Sequence, residues 1–403
     1  MRLGKQRSVG RNVIIYYLFS VDSLALVIVA LVKRWLDAGL SVSEILLLQG
    51  LFGLVMVIME VPSGALSDNW SRKGTLLASG LFGIAGVVWY GQASSFLEFF
   101  LGEFLIGVAL SLESGTSSAF VYDSLLEEGV EQRAQEVYSR YSLLAYSSMV
   151  VCLLAGSFIG EYNLFLPFLI AAGYQAFVFT SLFIFGHEPS QRRRVGLRSS
   201  MGRAAINLQS NKMIQLLLVL AFVTGLSLRL SFWTYQPTLL SQGFSLSVVG
   251  LVMALLNLCA ALTAYWVGQS KKTLGLLISG FLGASFLSLA LLSFTDSLWL
   301  LLVGMMLSQV PRGGMSIVSQ TILQSQVQSE ERATQMSLQS AFVSLSYLLS
   351  TLIIRFIEPS IQGINQIALG LMIVSLGVLV VLRDKPSSPS RKEGVVESGI
   401  SPN

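Results

Sequence analysis

What most constrains this chain is a succession of apolar runs, each near the ~20 residues that a helix needs to cross the hydrocarbon of a bilayer. They fall near 12–32, 43–66, 74–92, 96–121, 137–160, 164–186, 213–236, 246–268, 274–294, 298–322, 334–356 and 361–383, and they predict twelve spans. Charge identifies the solvent: 12% of the residues are charged and 53% hydrophobic, where a soluble domain carries about 25% charged residues. An exterior with so few charges must face lipid. Backbone groups find no water inside a bilayer, so the spans must be helices or a closed barrel. The runs are long and lack strict alternation, which selects helices. The expected fold class is an all-α membrane protein.

Cations set the topology. The N-terminus, the 67–73 link, the 187–212 connector, the 269–273 link and the C-terminal tail hold most Lys and Arg. The connector alone carries Arg192, Arg193, Arg194, Arg198, Arg203 and Lys212. The opposite links near 93–95, 237–245 and 295–297 have none. Lys33 and Arg34 are an exception at a helix end, where long side chains snorkel to the interface. Both termini are therefore expected on the cytoplasmic side. The connector divides the chain into a six-helix bundle over 1–186, a cytoplasmic connector over 187–212 and a second bundle over 213–385. A Ser-, Pro- and Gly-rich tail over 386–403 is expected to be disordered.

An internal repeat supports that division. At an offset of 199 residues, Arg72-Lys73 falls on Lys271-Lys272, Glu113-Ser-Gly115 on Arg312-Gly-Gly314, and Glu131-Gln-Arg133-Ala134 on Glu330-Glu-Arg332-Ala333. Gly39-Leu-Ser-Val-Ser matches Gly243-Phe-Ser-Leu-Ser at an offset of 204. Other chemistries lack their residues. Cys152 and Cys259 lie in apolar runs, which excludes a disulfide framework, and the single His187 cannot build a metal site. No P-loop is present, so ATP does not drive the protein directly. The net charge of +4 reads as topology control rather than nucleic-acid binding. No enzyme chemistry, cofactor or metal is expected. The basic start precedes the first span, and no cleavable signal peptide is expected.

The link Gly64-Ala-Leu-Ser-Asp68-Asn-Trp-Ser-Arg72-Lys73 resembles the loop between helices 2 and 3 of the major facilitator superfamily, roughly Gly-x-x-x-Asp-Arg-x-Gly-Arg-Arg/Lys. Gly64, Asp68, Arg72 and Lys73 match, while Asn69 and Ser71 depart from it. Ser114-Gly-Thr-Ser-Ser-Ala-Phe-Val-Tyr-Asp123-Ser-Leu is similar to a run found in one bacterial twelve-helix branch of that family. The resemblance implies two pseudo-symmetric six-helix bundles that rock about a midplane site. It also implies that Asp123 pairs with Arg72 and that Asp68 faces the cytoplasmic end of span 11, latching the outward-open state from inside. Glu103 stands where many family members carry an Arg. Two readings of it stay open: a buried proton acceptor, or a wetted acid near the outer end. Gly156 and Gly160 keep a Gly-x-x-x-Gly spacing in span 5, which permits close helix packing.

Charges at membrane depth are costly unless paired or wet, so they are the functional candidates. Asp22 lies midway along span 1, Glu113 inside span 4, Arg229 in span 7 and Arg312 in span 10. The resemblance implies that these four spans line the central cavity. Glu113 and Arg312 occupy equivalent places in the repeat and could face one another, as a structural pair or as a group that binds substrate or exchanges protons. Trp233, Tyr235, Gln236 and Asn257 could line a binding cavity. The expectation is a secondary active transporter, taken to be a monomer. Its partners would be a small-molecule substrate, protons as coupling ion and the lipid bilayer, with no nucleic acid. The resemblance implies export of a small organic compound by alternating access. Proton-coupled uptake is the alternative within transport, and a transport-dead receptor or scaffold the alternative outside it.

Overall fold

The computed structural model describes residues 2–189, 212–270, 273–326 and 329–384, and the regular structure there is entirely helical. In the first half α1 covers Arg2–Phe19, α2 Ala25–Asp37, α3 Val42–Asn69, α4 Arg72–Gln92, α5 Phe96–Glu113, α6 Thr116–Glu127, α7 Ala134–Tyr162 and α8 Leu166–Phe185. In the second half α9 covers Lys212–Ser241, α10 Leu246–Gln269, α11 Leu274–Phe294, α12 Leu298–Gln326, α13 Ser329–Ile357 and α14 Ile361–Asp384. The expected spans 1 and 4 are each broken in two, as α1/α2 and α5/α6. The other ten expected spans each correspond to one helix, with ends shifted by a few residues. Lys271, Lys272 and most of the 187–212 connector lie outside the described residues, as do the 386–403 tail and the side chains of Glu330–Ala333.

Among the described residues, six stretches are long and apolar enough to cross a membrane unaided: Val42–Glu60, Arg72–Gln92, Glu131–Tyr162, Leu166–Phe185, Leu246–Gln269 and Leu274–Phe294. Where α1/α2 and α5/α6 fall short, the reason is local. The first is interrupted, and α5 carries Glu98, Glu103 and Glu113.

Each break has a backbone cause. Ser20-Val-Asp-Ser23 offers side-chain oxygens that compete with helical bonding. The Ser20 hydroxyl donates to the Tyr17 carbonyl at 2.6 Å, and the Asp22 carboxylate accepts from the Ala25 amide at 3.2 Å, starting α2. The carbonyls left at the end of α1 are taken by hydroxyls: Tyr174 on Leu18 at 2.8 Å, Tyr141 on Phe19 at 3.4 Å and Ser148 on Ser20 at 3.1 Å. In the second break Gly115 has φ +74°, a conformation costly for any residue with a Cβ.

The repeated Gly-x-Ser-x-Ser segments are the same turn built twice. Gly39 and Gly243 have φ of +84° and +82° and close the preceding helices in the left-handed conformation. Two residues on, Ser41 caps α3 by accepting from the Glu44 amide at 3.2 Å, and Ser245 caps α10 through the Val248 amide at 3.4 Å.

The halves meet along α3 with α13 and α7 with α10, with α2 touching α9 and α10. These crossings lie toward the end of the bundle away from the chain termini. There a Cβ on Gly50 would fall 2.5 Å from Thr351 Oγ1, and one on Gly250 1.8 Å from Ser157 Oγ. The same end carries the Arg355–Glu44 ion pair at 3.2 Å, the Ser247 amide on Glu161 at 2.9 Å and the Trp35–Trp233 ring contact at 5.9 Å. Among the described residues neither α1 nor α6, at the terminal end, packs extensively against the second half.

Candidate functional site

Both breaks open onto one cavity of about 540 Å³ in the first half, within the range of small-molecule sites. Its walls come from the α1/α2 break, α3, α4, α5, α7 and α8, with Trp233 of α9 closing it toward the second half. Asp22, Glu103 and Glu113 all line it. The three expected acids of the first half are thus brought together. The rest of the lining is aromatic, aliphatic or uncharged polar, with no Lys or Arg.

The acids differ in environment. Glu103 is 5% exposed, and its carboxylate accepts from Gln49 Nε2 at 2.6 Å and from the Tyr90 hydroxyl at 2.9 Å. Of its two open readings, the wetted outer acid is therefore set aside by burial. Asp22 sits in the break, held by the Ala25 amide, while its own amide donates to Ser148 Oγ at 3.2 Å. Glu113 ends α5 and makes no hydrogen bond or ion pair among the described residues.

Arg229 and Arg312 lie outside this lining. The Arg229 guanidinium stacks on the Tyr347 ring with its centre 4.6 Å from the centroid. It also reaches the half-to-half boundary, where a Cβ on Gly53 would be 3.7 Å from Arg229 Nη2. Arg312 donates to Gln309 Oε1 at 2.9 Å and lies over Phe232 at 5.2 Å. No Glu113–Arg312 ion pair is formed among the described residues: the acid faces the first-half cavity, while the Arg is held by its own helix and by α9. Trp233 lines the cavity; Tyr235 and Gln236 are buried, and Asn257 is turned back onto the Met253 carbonyl at 2.8 Å.

At the terminal end, α3 and α4 are separated only by Trp70 and Ser71. Arg72 Nε donates to Asp123 Oδ2 at 2.8 Å and Arg72 Nη1 to Ser67 Oγ at 3.0 Å, with Arg72 6% and Asp123 1% exposed. The ion pair joins the link to α6 and stays within the first half. Gly64 is in α3; the side chain of Asp68 lies outside the described residues.

Glu188, at the start of the connector, was not among the expected site residues. Its carboxylate accepts from the Arg72 amide at 3.0 Å, the Lys73 amide at 2.8 Å and the Ser71 hydroxyl at 2.7 Å, capping α4. The Lys73 ammonium in turn donates to the Phe183 and Gly186 carbonyls, each at 2.9 Å, at the end of α8. Asn12 closes the same corner, donating to Ser124 Oγ and the His187 carbonyl at 2.8 Å each and accepting from the His187 amide at 2.9 Å. Gln49, Tyr90 and Tyr141 were also missed. Only the polar residue inside an apolar run, Gln49, gives any sequence signal.

No curated protein sequence matches the chain. Among solved structures, a nucleoside transporter, NupG, in a mutant form superposes with a TM-score of 0.77 at 15% identity, covering 93% of this chain and 99% of that one. A bacterial homologue of the human lysosomal transporter Spinster, solved inward-facing and unoccupied, gives 0.67 at 17% identity over 94% and 95%. A POT family transporter in complex with a thioalcohol-conjugated peptide gives 0.68 at 12% over 94% and 95%. At such identities the likeness shows the fold. The sequence pattern of the Major Facilitator Superfamily matches residues 13–351 and, overlapping it, 270–401. With that match over most of its length, the chain belongs to the Major Facilitator Superfamily and is a multi-pass membrane protein of the transporter class.

Proposed function

We propose that the protein is a secondary active transporter that exports a small organic compound against an inward flow of protons. The observation that carries this reading is the acid-lined cavity at the two helix breaks, in a bundle whose halves are clamped at the end away from the termini. The cation distribution favours termini in the cytoplasm of a bacterial-type plasma membrane, so this arrangement is read as open inward. Glu113 and Asp22 have the chemistry to exchange protons with water in the cavity, and Glu103 is a buried carboxyl beside them. Export is favoured over uptake by the likeness of residues 114–125 to a bacterial branch of the family. Proton-coupled uptake is the second reading, since nucleoside and peptide transporters share the fold.

In this reading residues 1–186 and 213–385 rock as two bodies, the connector and tail are cytoplasmic, and the monomer is the working unit. Gly64, Asp68, Arg72, Lys73 and Asp123 form the cytoplasmic gate. Asp22, Glu103, Glu113, Arg229 and Arg312 serve substrate and protons. The test is proton flux in proteoliposomes, followed by an internal pH dye as candidate compounds are added. Glu113→Gln and Arg312→Gln are expected to express normally and to be silent; normal flux in both removes the assignment. Impermeant labelling that put 67–73 and 187–212 on opposite faces would remove the topology.

A further inference from the structure

The cavity has a chemical bias that goes beyond small organic compounds in general. No Lys or Arg lines it; Arg229, outside the lining, acts on Glu103 alone of the three acids and leaves Glu113 and Asp22 without an offsetting cation. Glu113 is the unpaired member, with Asp22 across the cavity and Glu103 already engaged by Gln49 and Tyr90. The aromatic side chains Tyr141, Tyr174, Phe52 and Trp233 also line the wall, and aromatic rings attract cations.

Among the described residues these features stand together only in the first half. The equivalent spans of the second half, α9 and α12, run unbroken, and α12 carries Arg312 where α5 has Glu113. The site is therefore not a general property of the repeated fold.

We propose that the cavity selects an organic cation, its positive group seated between Glu113 and Asp22 and its apolar body against Phe52, Tyr141 and Trp233. A bare metal ion is disfavoured on two grounds. Ca²⁺ takes 6–8 oxygens at about 2.3–2.6 Å and Mg²⁺ an octahedral set at about 2.0–2.1 Å, whereas the carbonyls at the end of α1 are occupied by Tyr174, Tyr141 and Ser148. The cavity of about 540 Å³ with largely apolar walls is also far larger than an ion requires.

This inference rests on the transporter reading for its biological sense, but binding alone tests it. Purified full-length protein in nanodiscs is titrated with tetraphenylphosphonium and with tetraphenylborate, near-isosteric ions of opposite charge, following Trp fluorescence and calorimetry. Saturable binding of tetraphenylphosphonium is expected, weakened about tenfold or more in Glu113→Gln and largely restored in Glu113→Asp. Tetraphenylborate should not compete. Asp22→Asn supplies the same reading if Glu113→Gln does not give a monodisperse protein.

Equal binding of both ions, no binding of the phosphonium, or unchanged affinity in the neutralised variants would overturn the proposal. So would displacement by sodium beyond the effect of choline at equal ionic strength. Binding without flux in proteoliposomes would remove the transport reading and leave this one. Flux of an anion without phosphonium binding would do the reverse.

Discussion

At Gly250 the two halves approach closely, and this offers a direct handle on the conformational equilibrium. A Cβ there would lie 1.8 Å from Ser157 Oγ, 2.2 Å from Ser157 Cβ and 3.2 Å from the Leu153 carbonyl oxygen. Carbon atoms need about 3.5–4.0 Å. Rotating Ser157 moves its Oγ but not its Cβ, so Gly250→Ala forces α7 and α10 apart by roughly 1 Å. Overpacking of this kind costs about 1–3 kcal/mol. The cost falls only on states in which this end is closed, so the ratio of closed to open should drop about 5- to 150-fold. Spin labels at Tyr162 and Gln242, both exposed at this end, would report it as a transfer of population from short to long distance. Ser157→Gly removes both clashing atoms and should restore the short distance in the Gly250→Ala background. An unchanged distance distribution, or failure of that second substitution to rescue, would refute the crossing as the closing contact.

Three further outcomes follow from particular contacts. Arg72→Ala and Asp123→Ala each break a buried ion pair, at a cost of up to about 3–5 kcal/mol; the double variant should melt above the temperature that additivity implies, and strict additivity would deny the pair. Glu188→Ala removes the acceptor for three donors at the start of α4, worth about 1–2 kcal/mol, so hydrogen exchange at the Arg72 and Lys73 amides should quicken; unchanged protection would deny the cap. Gly115→Ala forces a Cβ into positive φ at about 1–2 kcal/mol, and Gly115→Asn should lose less in a melting experiment; equal melting of all three proteins would show that the break tolerates any residue.

The spans were legible because burial in lipid acts on composition over ~20 residues, a signal that survives without any knowledge of partners. The acids were legible for the same reason, since a charge inside an apolar run is conspicuous. The breaks were not. Ser20, Asp22 and Ser23, or Ser114 and Gly115, are tolerated in membrane helices when a neighbour satisfies the backbone. Whether a helix actually opens depends on hydroxyls far along the chain, such as Tyr141, Ser148 and Tyr174 for α1. Partner choice was hidden too. Glu103 is bonded to Gln49 in α3 and Tyr90 in α4, and nothing in the local sequence announces either. Glu188 looked like part of a basic connector, yet it caps a helix 115 positions away.

The repeat shows why equivalent landmarks do not imply equivalent sites. Glu113-Ser-Gly115 ends α5, with Gly115 spending its conformational freedom on positive φ. At the matching place Arg312-Gly-Gly314 lies inside the continuous α12, and its glycines serve close approach instead. A Cβ on Gly313 would sit 2.1 Å from the Ala260 carbonyl oxygen of α10, and one on Gly314 2.2 Å from the Phe281 ring of α11. One half thus uses small residues to open a helix around an acid; the other uses them to draw three helices together. The proposed rocking demands bodies that keep their shape, and the second half is packed tightly around α12. The first half has to be held despite two interrupted helices. The buried Arg72–Asp123 pair, the Glu188 cap and the hydroxyls on the α1 carbonyls are the contacts that hold it. Weakening them should therefore disturb the acid cavity before it disturbs the crossing of the halves.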